Sequence, residues 1–166
     1  MTFAVGDLVV YGTHGIGRVV AREQRAVLGQ SQEVVVVELE DGLTATLPLE
    51  LAREQLRSSA TEAEMREVRK ALRGERVLSV DPWLSRRRQT LEKLSAGGPV
   101  QLAEIVSEGA QRERMRRAKN NSALSAGERE IFVKAKRLLS GEVALALGLQ
   151  PAAADGWIDE QLARSA

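Results

Sequence analysis

Up to Arg57 the apolar positions come in short, β-branched runs: Leu8-Val9-Val10-Tyr11, then Ile16 to Val27 broken by Gly17, Arg18, Arg22 and Glu23, then Val34-Val35-Val36-Val37. Four valines in a row have no helical period; they suit a strand covered on both faces or one in a small barrel. Asp41-Gly42 between apolar stretches marks a tight hairpin, because glycine accepts the positive φ that such turns need. Gly29-Gln30 punctuates the runs in the same way, and Gly6, Gly12, Gly15 and Gly17 mark bends around the first strands. Four or five short strands with tight turns predict a small curled antiparallel sheet or barrel.

At Thr61 the period changes. Thr61-x-x-Glu64 is a capping-box pattern, and Met65, Val68, Ala71 and Leu72 follow at helical spacing, closed by Gly74. Asp81-Pro82 predicts the next start, with Asp81 as N-cap and Pro82 in the first turn. Leu84, Leu91 and Leu94 form that helix's inward stripe, and Gly97-Gly98 ends it. Pro99 opens a helix through Arg117. A second capping box, Ser125-x-x-Glu128, opens another that carries Ile131, Ala135, Leu138, Leu139, Val143, Leu145 and Leu147 as far as Gly148. A short helix with Trp157, Ile158 and Leu162 finishes the chain. The class is α+β: a Tudor-like small antiparallel β-barrel over residues 1–57, then a compact all-helical domain of about five helices over residues 61–166.

Aromatic residues are only 3% of the 166, so the cores are aliphatic. The net charge of +1 conceals a division. Residues 1–57 hold 5 Lys/Arg against 8 Asp/Glu, residues 58–166 hold 19 against 15, and residues 84–137 hold 13 against 6. Such concentration suits a face that holds a polyanion, or a set of solvated helix faces. There is no cysteine, which excludes disulfides, thiolate catalysis and thiolate-bound zinc. No charged-then-apolar leader and no bilayer-length apolar run is visible, and a cytoplasmic location is expected.

His14 is the only histidine and sits among structural glycines. The carboxylates occur singly among Arg and Lys. No catalytic residue, metal site or cofactor is expected. Gly12-Thr13-His14-Gly15-Ile16-Gly17 has the glycines of a phosphate loop but lacks the Lys-Ser/Thr ending, and a strand follows it; it reads as a β-turn. A methyl-lysine cage in the β module would need more aromatics than Phe3 and Tyr11. A sheet edge that pairs with a partner's strand fits better, with Arg25 and Val27 as contacts.

The most informative segment is DPWLSRRRQTLEKL, residues 81–94. Trp83 stands at a helix start, where free amides favour phosphate, and Arg86, Arg87 and Arg88 follow. Trp83 has two readings: an anchor in the helical core, or an exposed ring that meets distorted DNA. At about 100° per residue the three arginines fan over some 200°, so they cannot all point inward. Trp157, without basic neighbours in sequence, reads as core. The run Arg112, Arg114, Arg116, Arg117 and Lys119 reads mostly as a favourable helix C-terminus.

Three stretches, FAVGDLVVYGTHGIGRV, DPWLSRRRQTLEKLSAG and LSAGEREIFVKAKRLLSGEVALA, resemble the CarD/CdnL family of bacterial transcription regulators, in order and spacing over nearly the whole chain. The resemblance implies a Tudor-like domain that binds the RNA polymerase β subunit. It also implies a helical domain that contacts promoter DNA at the upstream edge of the bubble and stabilises the open complex. Carried over, Trp83 takes the position of a minor-groove wedge, with Arg86, Arg87, Arg88 and Arg129 on DNA and Arg25, Val27 and Thr46 toward the polymerase. Thr46 stands where some members carry arginine. The protein so implied is a monomer associated with the nucleoid, with no membrane partner. The alternative is an architectural DNA-binding protein that works without polymerase; the modest charge of the helical half argues against it.

Overall fold

Five antiparallel strands build the N-terminal unit: β1 (Leu8–Tyr11), β2 (Ile16–Val27), β3 (Gln30–Leu39), β4 (Thr44–Pro48) and β5 (Leu56–Arg57), in the order β4-β3-β2-β1-β5. A computed structural model describes residues 2–164, and the chain divides between Ser59 and Ala60 into two compact units. The sheet curls around Phe3, Val9, Val19, Val35, Val37 and Leu47, an aliphatic core with one aromatic ring. Its order ends at β4 and β5, so the expected barrel is left open. A short helix that the sequence pattern did not announce, α1 (Leu49–Gln55), fills the connection and buries Ala52. Gly12–His14 forms a 3₁₀ turn rather than a β-turn, with the His14 ring 4.6 Å from that of Tyr11. Gly17 has a different role: a side chain there would collide with Val37 and Leu39 of β3.

β1 pairs with β2 only over Ile16–Arg18, whereas β3 follows β2 to Val27. Among the described residues, no strand pairs with the outer side of β2 beyond Arg18, and at the tip, where Gln24 to Val27 face Glu33 to Gln30, none flanks either strand. The β2–β3 ribbon closes in a two-residue turn with Leu28 at φ 51° and Gly29 at φ 80°. Both central residues at positive φ match a type I′ hairpin, and glycine accepts this freely while leucine does not. Leu28 is also 99% exposed. Leu28→Asn is expected to stabilise the unit by about 0.5–1 kcal/mol, since asparagine tolerates this backbone region. A denaturant midpoint that falls would contradict this.

Five helices form the C-terminal unit among the described residues: α2 (Glu62–Arg73), α3 (Trp83–Ala96), α4 (Pro99–Asn120), α5 (Ala126–Leu147) and α6 (Pro151–Ala163). Both capping boxes are present, at Thr61/Glu64 and Ser125/Glu128. Gly97, Asn121 and Gly148 end their helices in left-handed conformation. The core joins Val68, Leu72, Leu102, Val106, Leu139, Val143 and Ile158, all nearly inaccessible. Trp157 packs on it, with the Arg69 guanidinium 5.6 Å from its ring, a basic neighbour that only the tertiary fold supplies.

Three expectations fail. Pro82, not Asp81, is the N-cap of α3, and no side chain caps that helix. Leu147, expected inward, is 38% exposed at the last residue of α5. Leu84 is 84% exposed. Leu84 lies about 100° around the helix from Trp83, and the core takes Trp83's side. Residues 74–82 carry no helix or strand but are tied to α4. Gln111 bonds both the N–H and the carbonyl of Arg76, and Arg112 donates to the Ser79 carbonyl at 3.0 Å. These bonds fix where α3 begins.

Candidate nucleic-acid interface

Trp83 is the first residue of α3, half-buried against the helical core. The core-anchor reading holds in part: the ring packs against the helical core without being fully buried. Two neighbours set its position. The Arg86 guanidinium, one turn on, lies 5.3 Å from the ring centroid in cation–π contact. On α5, Gly127 approaches so closely that a methyl group there would stand 2.8 Å from the indole Nε1.

Arg86 is itself buried. Its Nε donates to the Asp81 carbonyl at 2.9 Å, and its Nη2 donates to Glu128. Glu128 also takes a two-pronged bond from Arg116, at 2.5 and 2.9 Å, and bonds from the Ser125 amide and hydroxyl at 3.0 Å each. Burial pushes the Glu128 carboxyl up. The hydrogen bonds from Arg116, Arg86 and Ser125 outweigh that and hold it at about 2. The same carboxylate raises Arg116 further above its ordinary value, mainly through the hydrogen bond they share. Two charges removed from water in this way are tolerable only because every oxygen is hydrogen-bonded.

The arginines divide as the helical fan requires. Arg86 turns inward, while Arg87 and Arg88 are exposed. Arg88 makes only an exposed pair with Glu92 at 3.3 Å, worth little in water. Arg129 leaves the first turn of α5, two residues after Gly127. It is 58% exposed and its Nη1 lies 3.6 Å from Glu113. Arg112 pairs with Glu108 and Arg117 with Glu113, so much of the second basic run serves the fold.

In the N-terminal unit, Arg25 pairs across the ribbon with Gln32, Val27 with Gln30 and Thr46 with Val36. Two-residue alternation puts these three on one face of the sheet, opposite the face where Val35 and Val37 enter the core. Arg25 is 48% exposed and held by Glu23 at 2.8 Å; Thr46 is exposed and Val27 half-buried.

Reasoning from sequence missed Gly127, Glu128 and Arg116 as site residues. The capping-box pattern located Glu128, but nothing local says that two arginines from other helices converge on it. Among the described residues, no group of three or more His, Asp or Glu is gathered as a metal ion would need, and no helix is long and apolar enough to cross a membrane.

The Gly127 contact gives an expected outcome in which stability and geometry part. Gly127→Ala improves helix propensity by about 0.8 kcal/mol, yet it must displace the indole. In a Trp157→Phe background the Trp83 emission should shift to the red with no fall in melting temperature. An unchanged spectrum would show that the ring is not seated there.

Two family models match the chain. The family model described as CarD-like/TRCF RID domain matches residues 3–58. The one described as CarD, C-terminal domain matches residues 67–159.

Proposed function

The chain belongs to the CarD family of transcription proteins that interact with RNA polymerase, and on that premise we propose that it stabilises promoter open complexes with a tryptophan wedge. The N-terminal unit docks on the polymerase β subunit through the sheet face bearing Arg25, Val27 and Thr46. The helical unit then sets Trp83 in the minor groove at the upstream edge of the bubble. No chemistry is catalysed; the protein acts by binding, as a monomer, in the cytoplasm at the nucleoid.

The observation that carries this reading is the seating of Trp83, only partly buried yet gripped by Arg86 and close-packed on Gly127. Inserting an apolar ring into intact duplex costs a few kcal/mol of unstacking, and less where the strands already part. The difference favours open over closed complexes without reading sequence. A ring already held in place gives up little rotamer freedom on binding. Arg87, Arg88 and Arg129 supply phosphate contacts, which are salt-sensitive and indifferent to sequence. Arg86 is a positioning residue: its charge is spent on Glu128 and its plane on the indole.

The polymerase-independent reading is weaker. Arg86, Arg112 and Arg116 all bind carboxylates within the unit. That leaves less free positive charge than the count suggests, and tight binding to bare duplex needs several free cations. With threonine at position 46, docking leans on Arg25. Arg25→Glu is expected to weaken retention on purified RNA polymerase about tenfold, the scale of a lost charged contact. The chain's own weak DNA binding should stay as it was. Undiminished retention would remove this sheet face as the docking surface.

A further inference from the structure

On α3 the residues three, four and seven positions after Leu84 are Arg87, Arg88 and Leu91, which share one side of the helix with it. This is not the side that grips Trp83. Leu84 is 84% exposed and rests on nothing in the core, while Leu91 is half-buried behind it. A shallow groove runs along this side, lined by Leu84, Arg87, Arg88, Leu91, Glu92 and Ser95. Arg87 has no ionic partner among the described residues, and Arg88 has only the exposed Glu92. Fold stability does not account for Leu84 and Arg87, because an exposed leucine beside an unpaired guanidinium adds nothing to the helical core.

We infer that this side of α3 is a second contact strip, distinct from the Trp83 seat, that takes one unpaired nucleotide of melted DNA. Leu84 lies against its base and sugar, and Arg87 and Arg88 hold the flanking phosphates. The inference rests on the wedge reading of Trp83 and extends it. Charge decides for nucleic acid, since Arg87 is free beside the leucine, Arg88 answers the one acid in the groove through an exposed pair that a phosphate can displace, and the groove is left with a net positive charge. The leucine decides for an unpaired nucleotide. In intact duplex the base faces are stacked away and only phosphates and groove edges meet a helix surface. A separated strand offers an apolar face to each side chain that reaches it. Leu84 directly follows Trp83 in the chain, so a ring wedged at the bubble edge brings the next residue to the strand that leaves the duplex there. Trp83 thus holds the edge open, and Leu84 selects DNA that has already opened.

The test measures the lifetime of promoter open complexes formed with polymerase and the full chain, as wild type, Leu84→Ser, Leu84→Met or Trp83→Ala. Each is placed on the intact promoter and on templates with one abasic site moved through the unpaired positions at the upstream edge. Leu84→Ser is expected to shorten the lifetime about three- to tenfold on the intact promoter, the scale of one apolar contact with a base. Leu84→Met keeps it. At one abasic position Leu84→Ser has no further effect, because the base it touches is gone. If Trp83→Ala shortens the lifetime and Leu84→Ser does not, the strip is wrong and the wedge stands. If neither does, both fall. If Leu84→Ser acts equally at every abasic position, or loosens retention on polymerase without DNA, the strip meets protein and the inference is overturned.

Discussion

Replacing Glu128 with alanine is expected to cost the helical unit about 3–5 kcal/mol, because it leaves the buried Arg86 without its counter-charge. For a unit of this size that corresponds to a fall in melting temperature on the order of 20 °C. Glu64 occupies the same capping-box position in α2, without arginines from other helices, and Glu64→Ala should cost about 1 kcal/mol. The difference between the two measures what Arg86 and Arg116 add. The carboxyl of Glu128 lies at about 2 in the folded unit against an ordinary 4.5. A depressed carboxylate contributes stability that is whole above about pH 4.5 and is lost as pH falls through about 2, here on the order of 3 kcal/mol. Chemical denaturation of wild type should therefore show a loss of stability over that interval that Glu128→Gln lacks. Parallel pH profiles for the two proteins would show that the carboxylate is not held as described.

Trp83→Ala should have the largest effect on function. One stacked ring is worth about 1–3 kcal/mol against a base step, so its loss shortens the open-complex lifetime about tenfold or more. The ring also packs on the core, and truncation costs the unit about 1–3 kcal/mol of stability. Trp83→Phe separates the two contributions, since a smaller ring still fills the seat against Gly127 but reaches less far. It should recover most of the stability and part of the lifetime. If stability alone governed the lifetime, the loss of both would track together across Ala, Phe and wild type.

The outline of the fold was legible wherever one short-range rule acts without competition. The four valines of β3, the two capping boxes and the glycine stops at Gly97 and Gly148 each state a local preference that nothing overrides. The α3 segment stood out as a candidate site, and its packing was misleading in detail. Its leucines at 84, 91 and 94 suggested an inward stripe; Leu91 and Leu94 do pack on the core, but Leu84 does not, and Trp83 and Arg86 turn inward in its place. A buried guanidinium in the place of an apolar side chain depends on a carboxylate 42 residues away, and no periodicity encodes that pairing. The fan of three arginines fared better, because helical geometry alone forbids all of them from pointing inward. α1 stayed hidden because seven residues give too little of an amphipathic pattern to separate from a strand connection.

The role proposed for Trp83 is to hold promoter DNA open while other residues hold the polymerase. The most direct measurement is the dissociation of preformed open complexes after competitor challenge, with polymerase alone, with wild-type protein and with Trp83→Ala, retention on polymerase being followed in parallel. Wild type should lengthen the lifetime, and Trp83→Ala should stay bound to polymerase yet return the lifetime to that of polymerase alone. A Trp83→Ala protein that remains folded and bound and lengthens the lifetime as wild type does would rule out the wedge.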